Sequence, residues 1–153
     1  MGLTENWIGR TELTYAILNR DTARALSLLE DCGDPNHADY RGFSDLYYAA
    51  QSGELEVLRE LLRMGADPNG MPGYALPLLA AMYFFQSHPS RIEFDPYERA
   101  FEMVKALLEA GADPDRSQSG RATARQNAKY LAPGPIAEYM KTYPKRNAQE
   151  EGV

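Results

Sequence analysis

The stretch DYRGFSDLYYAAQSGELEVLRELLRMGADPN, residues 39–69, holds two short helices with one apolar edge each. A turn around Gly42 leads into the apolar run 46–50. Gly53 interrupts the chain, and Leu55, Val57, Leu58, Leu61 and Leu62 then recur at helical spacing until Gly65. A hairpin of two such helices cannot bury both edges alone. It requires copies of itself stacked on either side.

Those copies are in the chain. Thirty-three residues upstream, LLEDCGDPN (28–36) aligns with LLRMGADPN (61–69), repeating Leu28, Leu29, Asp34, Pro35 and Asn36. Forty-six residues downstream, ALLEAGADPD (106–115) carries the same close at Gly111, Ala112, Asp113 and Pro114. The openings NWIGRTELTYAI (6–17) and DYRGFSDLYYAA (39–50) also correspond. The chain therefore resembles the ankyrin repeat family, whose period is about 33 residues and whose signature is T-P-L-H-x-A. The matching segments are 11–16, 44–49, 76–81 and 123–128; none carries the His of that signature. The resemblance implies an all-α solenoid of stacked helix–turn–helix units with β-turn fingers. Units are expected at about 6–38, 39–70, 71–116 and 117–143, forming a single domain over 1–143, with a disordered tail over 144–153.

The third unit is the irregular one. The interval from Ala81 to Phe101 replaces the shorter one from Ala49 to Leu55, so 82–99 is an insertion of ordered loop. The inner helix is expected to run through Phe85 or Gln86. The outer helix is expected to restart with Asp95 as cap and Pro96 in the first turn. Asp34, Asp67 and Asp113 are read as turn formers that bond backbone amides two residues on.

The net charge is −6, unevenly spread. Residues 1–115 hold 19 acidic and 9 basic side chains, a net of −10, and residues 116–153 hold 3 and 7, a net of +4. Such an acidic body argues against phosphate-backbone binding and suits a basic protein partner. A nucleic-acid role would rest on Arg116, Arg121, Arg125, Lys129, Lys141, Lys145 and Arg146, which read more simply as solvated cations on a capping unit. No run of 18 apolar residues and no basic-then-apolar leader is present, so a cytoplasmic protein without membrane contact, monomeric when free, is expected.

Catalytic chemistry finds little support. Cys32 is the only thiol and stands where Gly65 and Gly111 stand in other units; it reads as a turn residue. His37 and His88 have no partners at metal-ligand spacing, and there is no Gly-rich phosphate loop. The expectation is a non-enzyme without cofactor or metal. The rival from another class is a ligand-binding or catalytic pocket on the insertion, lined by His88, Arg91, Glu93 and Asp95.

In the resembled family, finger tips and the ends of inner helices bind protein partners. Carried onto this sequence, those positions are Trp7, Ile8 and Arg10, then Tyr40, Arg41, Phe43, Gln51 and Ser52, then 72–75 including Tyr74, then Met82 and Tyr83, with Arg121 and Arg125 in the last unit. Trp, Tyr, Phe, Met and Arg are the types enriched in interface cores, and exposed rings forgo burial worth about 1.5–3 kcal/mol each. The competing reading is that Trp7 and Phe43 fold back onto their own unit. The function expected is binding itself, by inhibition, sequestration or adaptor duty. Size and unit count are similar to small kinase inhibitors of four ankyrin repeats. The compact form also resembles bacterial ankyrin proteins, among which an immunity protein neutralising a nuclease-type toxin is the specific expectation.

Overall fold

The computed structural model describes residues 6–70, 76–87, 95–117 and 120–145. Its helices are α1 (Glu12–Leu18), α2 (Thr22–Cys32), α3 (Asp45–Ser52), α4 (Leu55–Arg63), α5 (Pro77–Ser87), α6 (Pro96–Glu109), α7 (Ala124–Leu131) and α8 (Pro135–Thr142). Among the described residues there is no strand, only an isolated antiparallel bridge between Ala38 and Ser44. Each odd-numbered helix packs on the even-numbered one that follows it. The inner helices α1, α3, α5 and α7 also pack in series, as do the outer helices α2, α4, α6 and α8. That is the all-α solenoid the repeats imply.

Local chemistry starts the helices. Thr11 caps α1 by accepting from the Thr14 amide, Ser44 caps α3 through the Tyr47 amide, and Thr123 caps α7 through the Gln126 amide. At α6, Asp95 accepts from the amides of Tyr97 and Glu98, with Pro96 in the first turn, as its sequence suggests. The helix α5 runs to Ser87; residues 88–94 of the expected insertion lie outside the described residues.

The core is a continuous seam of aliphatic side chains crossing every unit, with Leu13, Ile17, Leu46, Leu58, Leu61, Met82, Phe84, Met103, Leu107 and Ile136 among its fully buried members. Polar rungs tie unit to unit along the closing turns. Asn36 Oδ1 accepts from the Asp67 amide and Asn69 Oδ1 from the Asp113 amide, both at 2.8 Å. Within each turn Asp34, Asp67 and Asp113 accept from the amide two residues on, at 2.9 Å in all three. The last unit ends differently. Asp115 pairs with Arg125 at 2.8 and 2.9 Å, and the same guanidinium donates to the carbonyls of Met140 and Tyr143 at the end of α8.

Candidate protein interface

The two fingers within the described residues are built alike. Asn6 Oδ1 accepts from the amides of Ile8 and Arg10, and Asp39 Oδ1 accepts from those of Arg41 and Phe43. The fingers are joined by the Tyr40 amide, which donates to the Ile8 carbonyl at 2.8 Å. These bonds hold each tip rigid and turn the residue after Asn6 or Asp39 outward. Trp7 is 85 % exposed and Tyr40 is 72 % exposed. The Tyr40 ring rests on Gly9, where an added Cβ would meet it at 2.8 Å.

Behind the tips lies a buried polar cluster that the sequence reading passed over. The Tyr48 hydroxyl donates to Asp39 Oδ2 at 2.6 Å and accepts from Arg10 Nη2 at 3.1 Å and Arg41 Nη2 at 3.5 Å. Burial of the Asp39 carboxyl opposes its ionisation. The Tyr48 hydroxyl, the Phe43 and Arg41 amides and the Arg41 charge together outweigh that burial, leaving the carboxyl below its ordinary range. Burial, aided by Asp39, pushes the Tyr48 phenol up, so it stays a donor at neutral pH. A signal was present in the chain: Asn6 and Tyr15 stand nine residues apart, as do Asp39 and Tyr48, and Asn6 Nδ2 donates to the Tyr15 hydroxyl at 2.6 Å. Tyr48 is 4 % exposed and Tyr15 40 %, because Tyr48 is covered by the unit before it.

A second polar network links the first two units. Thr14 Oγ1 donates to Asp45 Oδ1 at 2.7 Å, and Asp45 Oδ2 meets His37 Nδ1 at 3.0 Å. Since the single Thr14 hydroxyl proton goes to Asp45, the 3.2 Å contact between the Thr11 and Thr14 hydroxyls has Thr11 as donor. His37 thus serves as an inter-unit strut. Among the described residues no group of three His, Cys, Asp or Glu could hold a metal ion.

Between α3 and α5 the inner surface opens into a cavity of about 340 Å³, lined by Tyr47, Gln51, Leu79, Ala80, Tyr83 and Phe84 among others. Tyr83 stands 47 % exposed at its rim. The candidate binding residues separate here. Trp7, Tyr40, Arg41, Gln51 and Tyr83 present exposed side chains, and Ser52 is half-buried at the end of α3. Arg10 is mostly covered, its guanidinium lying 5.3 Å from the centre of the Tyr48 ring. Phe43 is half-buried against the core, stacked on Tyr47 at 5.1 Å, so it folds back as the competing reading had it, whereas Trp7 does not. Met82 must be withdrawn: it is 0 % exposed, packed in the seam where α5 meets its neighbours, and cannot touch a partner. Arg125 is likewise committed to Asp115 and the α8 carbonyls. Tyr74 lies outside the described residues, as do His88, Arg91 and Glu93; Asp95 is spent as the α6 cap.

Exposed carboxylates on the outer helices include Glu30 and Asp31 on α2, Glu56 on α4, and Glu98 and Glu109 on α6; Glu60 and Glu102 are half-buried and paired with Arg63 and Arg59, and Glu12 is exposed on the inner helix α1. On the inner side, the only acid of α3 is Asp45, which is buried, and α5 has no charged residue. The fingers add Arg10 and Arg41.

Residues 46–71, spanning α3 and α4 and the turn that follows, match the family model of the ankyrin repeat. An ankyrin repeat is present there. A comparison with curated proteins found no match. Ankyrin repeats are protein-interaction modules and are generally non-catalytic. Within the described residues, no helix is long and apolar enough to cross a membrane.

Proposed function

We propose that this chain acts by occupying the surface of another protein with its fingers and inner helices, as an inhibitor, sequestering factor or adaptor. The observation that carries the reading is the outward set of Trp7, Tyr40 and Tyr83, the last at the rim of the 340 Å³ cavity between α3 and α5. Large rings at rigid positions give contact area at little entropic cost, and pockets next to them give anchor sites. The test is affinity purification from the native host with the wild-type chain and with the triple variant Trp7→Ala, Tyr40→Ala, Tyr83→Ala. The partner should be retained by the first and lost by the second, with nearly equal melting temperatures. A partner retained by both, or a melting temperature that collapses, contradicts the assignment.

A second reading is favoured by the net charge of −10 over residues 1–115. An immunity-type inhibitor of a basic nuclease would present the exposed carboxylates among them, whose long-range attraction raises the association rate. Reversing Glu56, Glu60 and Glu98 to Lys should then slow association with the partner and abolish its salt dependence, which the triple aromatic variant should leave intact.

A further inference from the structure

We infer that the inner face takes an extended acidic–apolar peptide segment: a large apolar side chain enters the cavity between α3 and α5, and a neighbouring carboxylate pairs with Arg41. This rests on the reading that the fingers and inner helices bind protein, and it names the chemistry of what they bind. The argument is charge complementarity beside an apolar hole. The Arg41 side chain is 57 % exposed, and its guanidinium lies 5.1 Å from the centre of the Phe43 ring. Phe43 is stacked at 5.1 Å on Tyr47, which lines the cavity. The cation therefore stands no more than about 10 Å from the Tyr47 ring on the cavity wall, within reach of three residues of extended chain at about 3.3 Å each.

Nothing acidic competes for that cation from the partner's side. Asp39, which neutralises part of the local positive charge, has a side chain that is 0 % exposed and is already bonded by Tyr48 and two amides. The whole stretch 68–90 is free of Asp, Glu, Lys and Arg, so the walls of the cavity repel neither sign. A basic segment would meet Arg41 with no exposed carboxylate on α3 or α5 to receive it. An acidic one finds a partly desolvated guanidinium backed by a ring, which strengthens a charge-assisted bond. The rim supplies Gln51 and Ser87 for the peptide backbone.

The test is selection of a random peptide library displayed on phage against the full chain, followed by fluorescence anisotropy with the selected peptides. The expected motif is Asp or Glu within about four residues of Leu, Phe or Trp. Arg41→Glu should weaken those peptides at least ten-fold, and a fresh selection on that variant should enrich Lys or Arg at the same place. Tyr83→Ala should also weaken them. Tyr83→Ala should melt close to the wild type, its side chain being half exposed, whereas Arg41→Glu should melt somewhat lower because it sets a second carboxylate beside Asp39, with the fold retained by circular dichroism. Peptides that lose affinity with Tyr83→Ala but not with Arg41→Glu, and carry no acid, overturn the inference while leaving the binding face in place. Peptides indifferent to both variants overturn the face as well. A library that enriches nothing overturns the linear-segment inference alone, because the native-host purification still tests a folded partner.

Discussion

The ring of Phe84, on α5, packs so close to the bare Cα of Gly53 at the end of α3 that a Cβ built on the glycine falls far inside contact distance of the ring carbons Cε2 and Cζ. Gly53 also has φ 73°, in the left-handed region. One position thus serves both the turn between α3 and α4 and the closest approach between the second and third units. Gly53→Ala should destabilise the protein by about 3 kcal/mol or more, the sum of left-handed strain and overpacking. Urea unfolding would measure it. A loss below about 1 kcal/mol would mean the ring moves aside freely.

The corresponding turn of the first unit holds Arg20 at φ 59°, the one non-glycine with positive φ among the described residues. Strain at such a residue is about 1–2 kcal/mol. Arg20→Gly should therefore raise stability by about 0.5–1 kcal/mol after the added flexibility of the unfolded chain is subtracted. A fall in the midpoint of thermal unfolding would show that the Arg20 side chain makes contacts worth more than the strain.

Removing the Tyr48 hydroxyl strips Asp39 and Arg10 of a shared buried partner. Tyr48→Phe should cost about 1–3 kcal/mol, and Tyr15→Phe, its exposed counterpart in the first unit, only a few tenths. Equal losses in chemical denaturation would refute the asymmetry that stacking creates.

Acid stability should carry the mark of Asp39. Its folded-state pKa is lowered, so the stability it contributes is complete above its ordinary pKa near 3.8 and disappears as pH falls through the lower folded value. Without the Tyr48 hydroxyl that depression shrinks, and the acid transition of Tyr48→Phe should move to higher pH. The measurement is an acid titration followed by circular dichroism.

Glu54 shifts the other way. It is buried at the start of α4, and burial raises its pKa above 4.5, partly opposed by the Thr22 hydroxyl that donates to it at 2.5 Å. Because the folded state holds this proton more tightly, stability should decline as pH rises from about 4.5 through the raised folded value. Glu54→Gln keeps an acceptor for Thr22 and removes that decline. Unfolding free energies of the two proteins should diverge with rising pH in favour of the variant; parallel curves would show the carboxylate is solvated.

What was legible beforehand follows the range of the forces involved. The helix start at Asp95 rests on bonds spanning two or three residues, and the spacing alone reveals it. So do the Asp34, Asp67 and Asp113 turns. Burial of Met82 was not legible, because it is decided by what the neighbouring helices place opposite it, whereas Phe43 folds onto Tyr47 of its own unit. The Asp39–Tyr48–Arg10 cluster joins two units across 38 residues, and only the repeated nine-residue offset hinted at it. Composition could report an excess of carboxylates but not the side they occupy. On the outer helices they are offset by Arg24, Arg59, Arg63, Arg99 and Lys105, a pairing that the acidic total had hidden.

The Asn36 and Asn69 rungs carry one more implication. At the matching place the last turn has Asp115, whose oxygens are taken by an arginine that also covers the carbonyls closing α8. Two asparagines hand the stack onward and one aspartate ends it. Anyone lengthening this protein by grafting a further hairpin would first have to rewrite Asp115 and Arg125, since growth is blocked there by chemistry as much as by shape.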